Sequence, residues 1–317
     1  MGILKRTGPA AGLLAAVVWM CLSAPTAGAA GVQVYTSANG LPSDWVTALA
    51  IALDGKVWAG TGNAGVALLD PKSGRVSGYR VKDGLPSDET TSIALFGGKV
   101  YVGTANGIGI FDGSRWESIQ KIGTVTFRNV RLAASPDGKE LWASSVYLSG
   151  GTVRFDGKEW KFMGGEGRGL FNDIEGFGFL PDGVLMGSGQ GTVYLHKGAD
   201  VVPLPEGLPP TSIFTVAAWK GNAVAGTAVG LFERSGGKWA PVRLPEGMGG
   251  KPVFALSTRG NLLAVGALGG VAILGRDSSP AVFTPANGLP AGKVTAIAAG
   301  DGFVAAGTAR GLVIISE

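Results

Sequence analysis

The sequence predicts an all-β chain folded as a seven-bladed β-propeller with four-stranded antiparallel blades, its ring closed when the N-terminal strand joins the last blade. Three observations carry this: a short apolar string occurs seven times, each occurrence follows a two-residue hairpin signal, and the two ends supply complementary parts of one copy. The string is Lys56-Val57-Trp58-Ala59-Gly60-Thr61, which returns as Lys99-Val100-Tyr101-Val102-Gly103-Thr104. Leu141 to Ser145, Val184 to Ser188, Ala223 to Thr227, Leu263 to Ala267 and Val304 to Thr308 complete the set. From Gly60 the spacings run 43, 41, 43, 39, 40 and 41 residues, with Ser144 standing for the glycine in the third copy. That period is the length of a four-stranded propeller blade.

Within the first copy, Val46 to Leu53 reads as a strand, Asp54-Gly55 as a turn, and Lys56 to Thr61, Gly65 to Asp70 and Arg75 to Val81 as three further strands. Asp-Gly or Gly-Gly pairs between the first two strands suit hairpins whose turn residues adopt positive φ. Comparable pairs stand at Gly97-Gly98, Asp137-Gly138, Asp182-Gly183, Gly221-Asn222, Gly260-Asn261 and Asp301-Gly302. No stretch long enough for a helix has 3.6-residue periodicity. Val32 to Thr36 reads as the fourth strand of a copy, and Gly311 to Ser316 as a third strand with no fourth after it. Joining the two would remove an exposed sheet edge.

Residues 1–29 read as a signal peptide and residues 30–317 as the propeller. Lys5 and Arg6 form a basic start, Ala10 to Ala24 an apolar run of 15 residues, and Ala27-Gly28-Ala29 a small-residue cleavage site. Fifteen residues fall short of the ~20 that span a bilayer. Cleavage would remove Cys21, the one cysteine, so disulfides, cysteine-ligated metals and covalent haem are not expected. It would also take the net charge from +4 to +2, and no Lys/Arg cluster suggests nucleic acid. The expected product is a periplasmic or secreted monomer with no membrane span.

Asn39-Gly40-Leu41-Pro42-Ser43, a strand, an Asp-Gly turn, then Val57-Trp58-Ala59-Gly60-Thr61 with Gly65 soon after resembles the two-component regulator propeller repeat. Gly-Leu-Pro returns at Gly84-Leu85-Pro86, Gly207-Leu208-Pro209 and Gly288-Leu289-Pro290, and degrades in the third, fourth and sixth copies. The resemblance covers all seven copies and implies a periplasmic recognition domain of the sensor type. In that family a further β-domain, a membrane span and a kinase follow the propeller. This sequence stops at the propeller, so signalling through its own chain is not expected.

In such a blade, the loop before the first strand and the loop between the second and third strands open on one mouth of the central channel. Candidate ligand-binding residues there are Asp44, Trp45, Asn63, Asp88, Asn106, Tyr147, Asp173, Gln190 and Arg310. The innermost strands add Arg131 and Glu175, opposite charges in adjacent copies where others carry Thr47, Thr91, Phe214, Phe254 or Thr295. Those two could clamp a charged ligand or form an ion pair between blades. Carboxamides and aromatics at a concave mouth suit a polar ligand such as a glycan or peptide, or a protein partner. Trp58, Tyr101 and Trp142 share a repeat position and read as packing, whereas Trp45 departs from it.

His196, the one histidine, is expected in a turn away from the mouth and has no metal-ligating company. No cofactor and no metal are expected, and the chain reads as a recognition module rather than an enzyme. The alternatives are a propeller lyase or hydrolase using the mouth carboxylates, and a structural scaffold of an envelope assembly. Chain exported from its native host is expected to begin at Ala30 or Gly31. Intact mass of the exported product checks this, and a mass that retains Met1 to Ala29 would mean an anchor.

Overall fold

The computed structural model describes residues 31–146, 150–163, 173–275 and 280–316. The signal segment expected over residues 1–29 lies outside them. Seven four-stranded antiparallel sheets form the blades of a β-propeller, with a small extra hairpin, Lys121–Ile122 with Val125–Thr126, before the third. The first strands, nearest the axis, are Val46–Ile51, Thr90–Phe96, Val130–Ala134, Ile174–Leu180, Ile213–Trp219, Val253–Arg259 and Val294–Ala299. We number the blades 1 to 7 in that order.

The repeated string forms the second strand of each blade, and its last five residues are buried in every copy. Both faces of this strand are covered by neighbouring blades, which is why it reads as an unbroken apolar run rather than an alternation. The fourth strands alternate towards solvent, as in Arg75–Tyr79. Most of the core lies between blades. Trp58 stacks on Tyr79 at 5.8 Å and meets Trp116 edge-on at 6.4 Å, joining blades 1 and 2.

The Gly-Thr pair closes the loop that follows. Thr61 Oγ1 donates to the Gly65 carbonyl at 2.8 Å and accepts from the Ala64 amide at 3.0 Å. Thr104, Thr227 and Thr308 repeat the bond to Gly107, Gly230 and Gly311. The Thr61 hydroxyl satisfies the buried Ala64 amide and adds a bond to a carbonyl that the ladder already pairs.

Two strands are shorter than expected. The first strand of blade 1 stops at Ile51, and the fourth at Tyr79. After Tyr79 the chain winds into a 3-10 turn, Val81–Asp83, ended by Gly84 at φ 113°. Ser37–Asn39 and Pro285–Asn287 form matching turns before Gly40 and Gly288. The Gly of each Gly-Leu-Pro thus takes a positive φ that other residues avoid.

In blade 7 the fourth strand is Val32–Tyr35, paired antiparallel with Gly311–Ser316 through Val32 opposite Ile315 and Tyr35 opposite Leu312. Val32 and Tyr35 are buried, and the Gly31 carbonyl accepts from the Ser316 amide at 2.6 Å. A chain lacking Val32–Tyr35 exposes that edge and uncovers Val313 and Ile315, and is expected to melt at least ~5 °C lower. A melting temperature within a degree or two of the parent would show that the strand contributes nothing to the ring.

Candidate functional site

Each first strand brings one residue to the channel by a local irregularity. In six blades the ladder to the second strand skips one residue: Thr47, Thr91, Glu175, Phe214, Phe254 and Thr295. Such a bulge re-aims the extra side chain. Blade 3 is the exception, with Arg131 paired directly opposite Ser144. There Asn129 precedes the strand at φ 43°. All seven residues line a cavity of about 520 Å³ at the mouth, with Trp45, Glu89 and Lys293 at its rim.

The ring is not uniform. Three of its members tie one blade to the next: Thr47 Oγ1 donates to the Thr90 carbonyl at 2.7 Å, Thr91 to Val130 at 2.6 Å, and Thr295 to Val46 at 2.7 Å. Arg131, Glu175, Phe214 and Phe254 have no hydroxyl with which to make this latch. In blade 3, Ser144 makes it instead, donating to the Ile174 carbonyl at 2.6 Å. The channel positions of blades 3 to 6 are therefore released from the task that threonine performs elsewhere.

Arg131 and Glu175 form an ion pair between blades 3 and 4. Arg131 Nε and Nη2 both meet Glu175 Oε2, at 2.9 and 2.7 Å. Asp173 stands near them, just outside the cavity lining. Burial pushes its carboxyl above the usual range, the nearby Glu175 charge adds to this, and Arg131 opposes it. Across the next two blades the lining turns apolar. Phe214 and Phe254 lie 5.3 Å apart between centroids, and Lys293 Nζ sits 4.7 Å above the Phe254 ring.

Trp45 is 47% exposed, and its indole lies directly over Gly62, where a Cβ would collide with the ring. Asp173 sits over Gly189 in the same way, with Oδ2 2.8 Å from where a Cβ would be. The other copies have Ala105, Val146, Ala228, Leu268 and Ala309 at this place. Glycine leaves room for Trp45 and Asp173 to lie against the loop, whereas Glu89 at the equivalent position has Ala105 opposite.

Other expected site residues fall elsewhere. Asp44 and Asp88 turn back into their own loops, accepting from the Ser37 amide at 2.5 Å and the Val81 amide at 2.8 Å. Neither lines the cavity, because each carboxylate holds the start of a 3-10 turn. Asn63, Asn106, Gln190 and Arg310 lie on the outer loop ring and are not part of the lining. The last three are held through main-chain amides that donate to Thr104, Ser188 and Thr308. Tyr147 lies outside the described residues. Phe214, Phe254, Glu89 and Lys293 line the cavity but were not among the expected site residues. Their signal is the loss of threonine at the channel position or, for Glu89 and Lys293, the charge one residue before the first strand.

His196 is within the third strand of blade 4, Val193–Lys197, and not in a turn, because that strand continues through His196 paired with Val184 and Val201. It packs edge-on against Trp142 at 5.2 Å. Burial holds its pKa below the usual value, with help from Arg154.

Asp173 yields a signed expectation. Its ionised form is less favourable in the fold than in the unfolded chain, so its charge subtracts stability above its raised pKa, and protonation relieves the penalty. Asp173→Asn should therefore raise the melting temperature at pH 7 by on the order of 1 °C. The gain should fade as pH falls through the raised pKa. Parallel melts of the two proteins from pH 7 to pH 3.5 check this, and a variant that melts lower at pH 7 would contradict it.

No family model matches the sequence, and no curated protein matches it either. Solved structures do match by fold. The extracellular domain of a hybrid two-component system from B. thetaiotaomicron has a TM-score of 0.74 at 15% identity, over 90% of this chain and 41% of that one. Virginiamycin B lyase from Staphylococcus aureus gives 0.69 at 11% identity, over 90% of this chain and 99% of that one. PorZ, a surface component of the type-IX secretion system of Porphyromonas gingivalis, gives 0.68 at 18% identity, over 90% and 48%. The chain thus spans about two fifths of the two-component domain and half of PorZ. It is a seven-bladed propeller similar in fold to extracellular domains of two-component systems, the group its repeat resembles.

Proposed function

We propose that the chain is a non-catalytic recognition module, acting in the periplasm or outside the cell, that binds its ligand at the channel mouth. The ligand is a polar small molecule, glycan or peptide, or a segment of another envelope protein. One observation carries the reading: the sevenfold pattern breaks at the mouth, where Arg131, Glu175, Phe214 and Phe254 replace the latching threonine and Trp45 lies exposed over Gly62. Stability alone does not ask for those side chains, and an exposed indole at a concave mouth is a strong anchor. Among the described residues no helix is long and apolar enough to cross a membrane. The similar folds include extracellular domains and a bacterial surface component, which agrees with such a location.

The lyase alternative draws on a different neighbour, in which one histidine-to-alanine variant is described as catalytically inactive. In this chain the sole histidine packs on Trp142 between blades 3 and 4, away from the cavity lining. That placement favours recognition over lyase chemistry.

A thermal-shift screen of the protein against oligosaccharides, peptides and divalent ions finds candidate ligands, because binding to the native state raises its melting temperature. For a ligand found this way, Trp45→Ala should weaken binding by about thirtyfold, ~2 kcal/mol, and leave the melting temperature of the free protein unchanged. Trp58→Ala, which removes a ring only 4% exposed, should instead cost ~3–5 kcal/mol of stability. If both variants melt equally low, Trp45 is packing and the mouth loses its anchor.

A further inference from the structure

We infer that the mouth takes a polypeptide segment presenting an apolar side chain beside a basic one. This rests on the reading of the mouth as the binding site and narrows its occupant. The mouth has two adjoining sectors of different chemistry. Over blades 5 and 6, Phe214 and Phe254 face the channel, and Val229 and Leu268, 47% and 42% exposed, extend the apolar surface onto the loops after the second strands. Lys293 and Thr215 are the polar side chains at this part of the lining, and the Lys293 ammonium already lies over Phe254. Sugar hydroxyls placed against the two phenyl rings would lose water and find few hydrogen-bond partners, at a cost that disfavours a glycan. A phenyl or branched aliphatic side chain incurs no such cost.

Over blades 3 and 4 the surplus is acidic. Arg131 directs both of its contacting nitrogens to Oε2 of Glu175, which leaves Oε1 without an Arg131 contact. The Asp173 carboxylate accepts no hydrogen bond and forms no ion pair among the described residues, and it lies near Glu175 at the rim. Glu89 joins Glu175 as the second acid of the lining, with Asp173 just outside it. An ammonium or guanidinium group would complement this sector, whereas a carboxylate or phosphate would be repelled by it.

The two sectors meet where the first strands of blades 4 and 5 lie close together. Cβ atoms at Gly176 and Gly178 would stand 3.2 and 2.9 Å from the main chain of Thr215 and Ala217, so Glu175 and Phe214 are neighbours in the ring. The basic and apolar groups must therefore come from residues adjacent or one apart, since an extended chain advances ~3.3 Å per residue. A cavity of about 520 Å³ admits two or three such side chains.

The test uses the whole chain on two arrays. One displays acetylated, amidated hexapeptides with one Phe and one Lys at every spacing in a Ser/Gly background, and the other displays oligosaccharides. Peptides with Phe and Lys adjacent or one apart should bind, with affinity falling at least tenfold when Lys is replaced by Glu or Phe by Ala. Phe214→Ala should weaken the same peptides at least tenfold. Asp173→Asn, an isosteric change that leaves the Arg131–Glu175 pair in place, should weaken Lys peptides at least fivefold and should not weaken analogues with norleucine for Lys. Melting curves of both variants confirm their folding. Oligosaccharide binding that Trp45→Ala abolishes would overturn the peptide assignment and leave the mouth reading standing. Peptide binding indifferent to the Phe–Lys pair would also overturn the assignment. Silence on both arrays, or binding unaffected by Trp45→Ala and Phe214→Ala, would overturn both.

Discussion

Everything in this molecule depends on how closely one blade can approach the next at a single point of the second strand. A side chain at Gly60 would run into Thr90, one at Gly187 would come within 2.8 Å of Val216, and one at Gly307 within 2.5 Å of Val46. Gly103, Gly226 and Gly266 face Val130, Val253 and Val294 in the same way. The first strand of each following blade lies on that bare backbone, and packing densities in protein interiors leave no slack for a methyl group there. Blade 3 has Ser144 instead, and its hydroxyl turns the crowding into a hydrogen bond with Ile174. This glycine is thus repeated because the ring needs it. Alternatives such as alanine would prise neighbouring blades apart.

A ring fixed in this way leaves its inner rim free to vary. The bulge in the first strand lifts one residue out of the ladder, so its side chain faces the channel rather than the buried faces between sheets. Threonine is a good default there because its hydroxyl links neighbouring blades. Where the residue is Glu, Phe or Arg, that link is given up or moved, and the lost bond is worth about 1 kcal/mol. A fold held by seven apolar interfaces tolerates several such losses. Chemistry can therefore accumulate at the channel without loss of the propeller.

Most of the fold was legible because repetition reports on packing. Trp58 and Trp142 occur in register and both are buried, and the end strands Val32–Tyr35 and Gly311–Ser316 pair as their sequences suggest. The site was legible only in part, and the reason differs among residues. Arg131 and Glu175 stood out as departures at one repeat position, and the structure places them at the lining in contact with each other. Asp44 and Asp88 shared a position too, but each caps an amide seven residues back, a local role that a mouth-facing reading overlooks. Phe214 and Phe254 were read as ring members, yet apolar residues in a β-rich sequence do not announce themselves as binding groups. His196 was misplaced because a strand end was set at a turn signal that the ladder overruns by a residue or two.

At two points of the mouth the departure from the repeat is a pair of residues rather than a single one. Trp45 and Asp173 occupy equivalent rim positions, and both lie against a glycine, Gly62 and Gly189, where the five other copies carry larger residues. Glu89 holds the same rim position opposite Ala105, so a charged rim group alone does not demand the glycine; it is Trp45 and Asp173 that lie against the loop backbone. Alanine at either place would push the indole or the carboxylate away from its present position, which ties loop and rim together sterically. The two pairs lie in blades 1 and 4, on well-separated parts of the ring, so the coincidence is not one local accommodation. It reads as the same solution reached twice: the loop gives up its side chain so that a rim group can lie flat against it.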